Sequence, residues 1–549
     1  MSGAQQHSVI VVGAGPVGLT VAMDLASRGV NVLVLEKRYR GEAPSVKCNH
    51  VSARSMEIFR RLGVAGAIRA AGLPDEYPHD IAYRTSATGI ELTRIPIPGR
   101  AGRVRKDPGP DTDWPTMEPP HRINQIYLEP ILFAHAESMP GVTIQNRFEV
   151  SEVTQDELGV HVQGRDLDTG EALSFSADYL VGCDGGRSYI RTVIGANLVG
   201  DAVIQRVQST YIRAPKLLEM FRYEPAWATF SLNPKRCGNM YAIDGKTLWL
   251  VHNYLKDDEA DFESVDRDLS IRQILGVGED FDYEVISKED WYGRRLVADR
   301  FRDRRIFICG DAAHLWVPYA GYGMNAGIAD AANLAWVLAA VVRGWGDERM
   351  LQAYVSERHP ITSQVSYFVM DHAHAMATER RIVPENIEAQ DEAGEAVRRE
   401  VGQRAYELNV QQYCCAGLNF GYFYDQSPLI AYDGEKQPAY TMGSFTPSTV
   451  PGCRTPHFVL PDGRSLYDAM GADYCVLRLD PDADVQPLLQ AAAEQGVPIK
   501  VLDLDRRGAP QAYRHALLIS RPDQHVAWRG DVLPADCTAL LDRLRGALN

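Results

Sequence analysis

The sequence predicts an α/β fold, α+β over the whole chain, and three observations carry that expectation. A β-α-β pattern opens the chain, with apolar strands at Ser8–Val12 and Asn31–Leu35 around a helix at Pro16–Ser27. β-type runs, among them Val207–Ile212 and Thr247–Tyr254, crowd the stretch from Ile204 to Tyr254 and predict a largely antiparallel sheet. A buried-strand pattern returns at Arg305–Cys309 and leads into a long helix at Asn325–Val342. At about 150 residues per domain, 549 residues make three to four units.

The elements between these landmarks follow from local signals. Arg28-Gly29 stops the first helix, and RSMEIFRRL predicts another at Arg54–Leu62. Residues 84–120 are rich in Pro and Gly and read as irregular loops. A helix from Leu128 to Glu137 precedes alternating strands over Val142–Phe175. Residues 345–435 read as mainly helical, with Glu385–Arg404 as a solvated face. Asp433–Pro456 carries Pro, Gly, Ser and Thr and reads as a linker. Strands at Tyr474–Leu479, Ile499–Leu504 and Ala516–Ser520, with helices between, predict a small terminal α/β unit.

Composition excludes some functions. With 57 basic and 72 acidic residues the net charge is −15, which argues against nucleic acid and against a basic membrane-surface protein. The nine cysteines show no C-x-x-C pair and no zinc-type spacing, so no metal is expected. Met1 to His7 carries no basic segment, and the apolar run Val9–Met23 is interrupted by Gly and Pro and ends at Asp24. A cytoplasmic protein without a membrane span is expected.

Three motifs carry the chemistry. Gly13-Ala14-Gly15-Pro16-Val17-Gly18 lies between strand and helix, where a helix N-terminus and close backbone approach hold a pyrophosphate. Glu36 closes the second strand, 18 residues after Gly18, placed for ribose hydroxyls. A second apolar strand runs into Cys183-Asp184-Gly185-Gly186-Arg187. A third ends in Cys309-Gly310-Asp311, followed by Val317-Pro318-Tyr319-Ala320-Gly321-Tyr322-Gly323-Met324-Asn325. Asp311 can take a polyol hydroxyl, and the loop N–H groups can stabilise negative charge on a ligand ring.

In this order the motifs resemble the class A flavoprotein monooxygenases, the para-hydroxybenzoate hydroxylase and phenol hydroxylase family, over roughly Ser8 to Trp345 and more weakly to the C-terminus. The resemblance implies a Rossmann-like FAD domain interleaved with the antiparallel substrate-domain sheet. It places the FAD unit at 1–83, 121–200 and 300–345, and the substrate unit at 84–120 and 201–299. A helical segment at 346–435 and a thioredoxin-like domain at 450–549 follow. The cofactor residues it implies are Gly13, Ala14, Gly15, Pro16, Gly18, Glu36, Lys37, Lys47, Gln125, Asp184, Asp311, Pro318, Gly321, Gly323, Met324 and Asn325. Two departures stand out: Lys47 replaces the usual arginine, and Ala320-Gly321 replaces the usual Gly-Gly pair.

The activity implied is hydroxylation of a phenolic or related aromatic substrate with O2 and NADPH or NADH, through a flavin C4a-hydroperoxide, in a homodimer. A flavin-dependent epoxidase or Baeyer–Villiger enzyme is the alternative, and a non-enzymic binder on the same scaffold is disfavoured by the intact motifs. Phenol activation needs a base or a neutral acceptor, for which His50 and His252 are the candidates. If the Leu248–Tyr254 face carrying His252 looks toward the flavin, His252 and Tyr254 line the pocket; otherwise Trp249 and Asn253 do. Tyr322 is expected at the substrate pocket, and Arg213 either binds a carboxylate or closes the sheet. His314 reads as structural.

Overall fold

The computed structural model describes residues 5–548 and shows three sheets. In the first, strands Ile306–Ile308, Ala172–Gly182, Gln5–Val12, Val32–Leu35 and Val142–Gln145 run parallel side by side. Parallel strands need covering on both faces, which is why Val9 to Val11 and Val32 to Leu35 are continuous apolar runs and fully buried. The helix Pro16–Ser27 packs on the helix Tyr322–Val342. The latter is long and apolar enough to cross a membrane by length and composition, and it is buried in the core instead.

The second sheet has nine strands, and its register decides which side chains share a face. Tyr83 pairs Phe230, Phe230 pairs Asn239, Asn239 pairs His252 and Tyr241 pairs Leu250. One face therefore carries Tyr83, Asn239, Tyr241, His252 and Tyr254. The other carries Met240, Trp249 and Val251 and packs on the helix Arg267–Leu275, whose Ile274 presses on Gly238.

Two sequence readings change here. Residues 84–120 are not wholly irregular: Glu91–Ile95 is a strand against Ile81–Arg84, and Arg100–Arg105 is a helix. Polar residues in Glu91–Ile95 mask the strand signal, and the pairing is supported by Arg94, which bonds Glu91 and Asp80. Ile81–Arg84 also joins this second sheet, beside Ala228–Ser231, although residues 81–83 read as part of the first unit.

The third sheet has the order Ile499–Asp503, Tyr474–Arg478, Leu517–Ser520, Val526–Gly530, with the first pair parallel and the rest antiparallel. The helix Gln486–Gln495 makes its parallel crossover, as a thioredoxin-like unit requires. The preceding stretch is irregular but pinned: Arg454 is buried and paired to Glu57, which also holds Arg54. At the same junction Arg521 is fully buried between Glu357 and Asp523.

Candidate active site

A groove of about 630 Å³ runs along the C-terminal ends of the parallel strands, the usual ligand position in such sheets. The three motifs meet in it. Gly13 has a left-handed φ of 104°, and a Cβ there would come within 2.4 Å of the Cys183 carbonyl, so the first and second motifs are pressed together. Gly15 opens onto free space, and the helix behind it presents its N-terminus to the groove.

Glu36 lies at the groove wall and accepts the Ala14 N–H at 2.6 Å and the Arg38 N–H at 2.9 Å. Burial alone would raise its pKa; the bonds and charge of Arg38 and the Ala14 N–H outweigh that and hold the carboxyl below its usual range. Asp311 is exposed to solvent on its groove side yet closely surrounded by protein, and no donor among the described residues reaches its carboxylate. Desolvation raises its pKa despite His314 and Lys47. A glycine-lined anion cradle at one end, and an unspent carboxylate for hydroxyls at the other, fit FAD.

The third-motif loop is stitched to the segment around His50. Asn325 donates to the His50 carbonyl at 3.1 Å and to the Gly321 carbonyl, and accepts the Ser52 N–H at 2.9 Å. A Cβ on Gly321, whose φ is 62°, would meet His50 at 3.0 Å. His50 is buried, and its Nδ1 lies 2.5 Å from Arg122 Nη1. A guanidinium only donates, so Nδ1 is the acceptor and the neutral ring carries its proton on Nε2. Desolvation, then the Arg122 charge, holds His50 well below its ordinary pKa.

Opposite stands the polar-aromatic face of the nine-stranded sheet. Leu250 and Tyr211 pack with Val46, Ile126 and Tyr127, the neighbours of Lys47 and Gln125, so this face looks toward the groove. His252 therefore sits on the inner side, between Tyr241 and Trp291, with no hydrogen-bond partner among the described residues. Burial lowers its pKa to about 4. Trp249 looks away, donating to the Ala214 carbonyl at 3.3 Å.

A family model described as an FAD binding domain matches residues 6–369, and one described as the C-terminal domain of aromatic-ring hydroxylases matches 448–548. The chain belongs to this family, the class A FAD-dependent aromatic monooxygenases. Phenol 2-monooxygenase of Pseudomonas sp. (strain EST1001) is 29% identical, covering 98% of this chain and 93% of that one. Rifampicin monooxygenase of Streptomyces venezuelae is 31% identical over 69% of this chain and 75% of its own. Among solved structures, the rebeccamycin biosynthetic enzyme RebC with reduced flavin superposes with a TM-score of 0.87 at 31% identity, over 99% of this chain and all of that one. Aklavinone-11 hydroxylase with FAD and aklavinone gives 0.82 at 25% identity, with both chains fully covered.

The monooxygenase brings many of the expected cofactor residues to one groove. Gly13, Gly15, Pro16, Glu36, Lys37, Lys47, Gln125, Asp184, Asp311 and Met324 line it. Gly18 lies beneath, and Pro318, Gly321, Gly323 and Asn325 form the turn that delivers Met324. Some of these groups already have protein partners. Asp184 accepts from Ser188 Oγ at 2.5 Å and the Tyr189 N–H at 2.7 Å, which caps the following helix. Lys37 pairs with Glu149 at the rim and Lys47 with Glu289. Gln125 donates to Glu129 at 2.9 Å. The side chain of Ala320 lies outside the described residues.

Two pocket residues are corrected. Tyr322 gives its hydroxyl to the Leu418 carbonyl and turns into the helical segment. The loop tyrosine at the inner face is Tyr319, whose hydroxyl donates to Gln205 at 3.1 Å. Arg213 is exposed at a strand end, 3.5 Å from Glu284, because the sheet edge there carries an acidic neighbour. The buried arginine beside His50 is Arg122, which carries no local sequence signal. It lies beside the cap residue Asn124, and the pairing of Val51 with His121 brings it next to His50. His314 bonds Asp330 at 2.7 Å in the core, as a structural residue does.

Proposed function

We propose that this enzyme hydroxylates a phenolic or related polyaromatic substrate lying between the Tyr241–His252 face and the flavin end of the groove. The observation carrying this reading is the register of the nine-stranded sheet, which puts Tyr83, Asn239, Tyr241 and His252 on one inner face opposite His50. Aromatic rings with polar ends suit a flat substrate bearing oxygens: the ring stacks and the hydroxyls bond. FAD, when bound, supplies hydride acceptance from NAD(P)H and the activation of O2. The chain's residues do the rest.

Gly13, Gly15 and the Pro16 helix would hold the pyrophosphate, Glu36 the ribose and Asp311 the polyol chain. His50, with its proton on Nε2, is a donor that orients a substrate oxygen. His252 is neutral at pH 7 and offers an acceptor nitrogen to a phenolic proton. At a pKa of about 4 it shares that proton through a hydrogen bond and does not take it outright, since a phenol titrates near 10 (about six units higher). We also read the protein as a cytoplasmic homodimer; its nine free thiols support the compartment.

The test is FAD-loaded protein with NADH or NADPH and a panel of phenols and naphthols under 18O2. One labelled oxygen atom per reduced nucleotide in the product is expected. Nucleotide oxidation that never yields a labelled product with any aromatic would overturn the reading.

A further inference from the structure

Arg122 is 4% exposed, and no carboxylate among the described residues lies within 4 Å of its guanidinium. Its one hydrogen bond is to His50; Nε and Nη2 meet no acceptor among the described residues. The nearest acidic group, Asp111, is already held by Arg103 at 2.6 Å. Arg122 instead lies over the Trp227 ring, 4.0 Å from its centroid, with Tyr413 at 5.8 Å. Desolvation lowers its pKa to about 10. Buried charge is ordinarily paired and buried polar groups are ordinarily bonded.

The neighbours repeat the anomaly. Among the described residues, both ring nitrogens of His79 are buried without partners. The hydroxyls of Tyr83 and Tyr413 and Asn239 Nδ2 make no well-formed hydrogen bond either, although the two tyrosine hydroxyls face each other and Asn239 faces Tyr241. His79 feels the Arg122 charge more than that of any other group, and Tyr413 and Tyr241 also lie within its field. Nearly all the unspent groups can donate, and a planar fork stands among them. That set lacks an acceptor-rich planar anion.

We propose that Arg122 recognises the substrate through a carboxylate, or an equivalent pair of acidic oxygens on a ring edge, and so makes this enzyme selective for acidic aromatics. The inference rests on the aromatic-substrate reading above and adds the charged group. A fork bonded at once to His50 and to the substrate couples substrate charge to the orientation of the His50 ring, and Trp227 fixes the guanidinium plane.

The experiment titrates FAD-loaded enzyme with 3-hydroxy-2-naphthoate and with its methyl ester, following the flavin absorption spectrum. The acid is expected to bind at least tenfold more tightly than the ester. In Arg122→Gln the two should bind within about twofold of each other, and Arg122→Lys should recover only part of the preference. Equal affinities in the wild type overturn the inference and leave the aromatic reading standing; this arm needs no variant. An unchanged acid-to-ester ratio in an FAD-loaded Arg122→Gln protein overturns it as well. If neither compound perturbs the flavin, the inference is overturned, and the 18O2 panel decides the aromatic reading separately.

Discussion

Arg521 and Arg122 are both buried guanidinium groups, and they have opposite surroundings. Arg521 sits between Glu357 and Asp523 at distances of 2.6 to 2.8 Å, and those carboxylates raise its pKa despite the desolvation. Arg122 has a histidine and two aromatic rings, and its pKa falls. The first arrangement is complete without a ligand and joins the terminal unit to the helix Gln352–Arg381. The second is incomplete. The buried guanidinium groups of Arg54, Arg358 and Arg454 are paired with carboxylates as Arg521 is, and Arg122, which is not, marks where something else binds.

Removing Arg521 should give the largest effect on stability. Arg521→Leu leaves two carboxylates buried without their cation, and about 3–5 kcal/mol of unfolding free energy should be lost in denaturant titrations. The groove gives the next effect. Asp311→Ala removes an unspent carboxylate, so FAD affinity should fall about 10- to 100-fold by fluorescence titration, with little change in the apoprotein's melting temperature.

His252 sharpens the comparison through pH. Its folded pKa is near 4 and its unfolded pKa near the usual ~6.5, so the unfolded chain takes up the proton first. Its contribution is present above pH ~6.5 and is lost as pH falls toward 4. In His252→Phe the slope of unfolding free energy over that window should fall by about one proton, ~1.4 kcal/mol per pH unit. The smallest stability effect is expected at Arg122. Arg122→Gln exchanges an unpaired buried charge for a neutral amide, and unfolding free energy should move by less than about 1 kcal/mol in either direction.

The cofactor groove was legible in sequence because backbone geometry builds it. Gly13 is required by its φ and by the approach of Cys183, and such requirements leave glycines at fixed spacing. The substrate face was half legible. Alternation grouped His252 with Tyr254 correctly, but which face looked inward depended on the helix Arg267–Leu275, which sequence periodicity does not place. Asn239 and Tyr241 were available to the same alternation argument. Arg122 carried no local signal: its meaning comes from the carboxylates absent around it, and only the folded arrangement shows an absence. Tyr322 and Tyr319 are three residues apart in one loop, and the turn at Gly321 sends them to different places.

The most direct measurement is a crystal structure of the FAD-loaded enzyme with 3-hydroxy-2-naphthoate. The account predicts the naphthalene ring against Tyr241 and His252, with the carboxylate on the Arg122 fork at hydrogen-bonding distance. A ligand bound elsewhere, or an Arg122 turned onto Asp111 with the ring still in place, would contradict it.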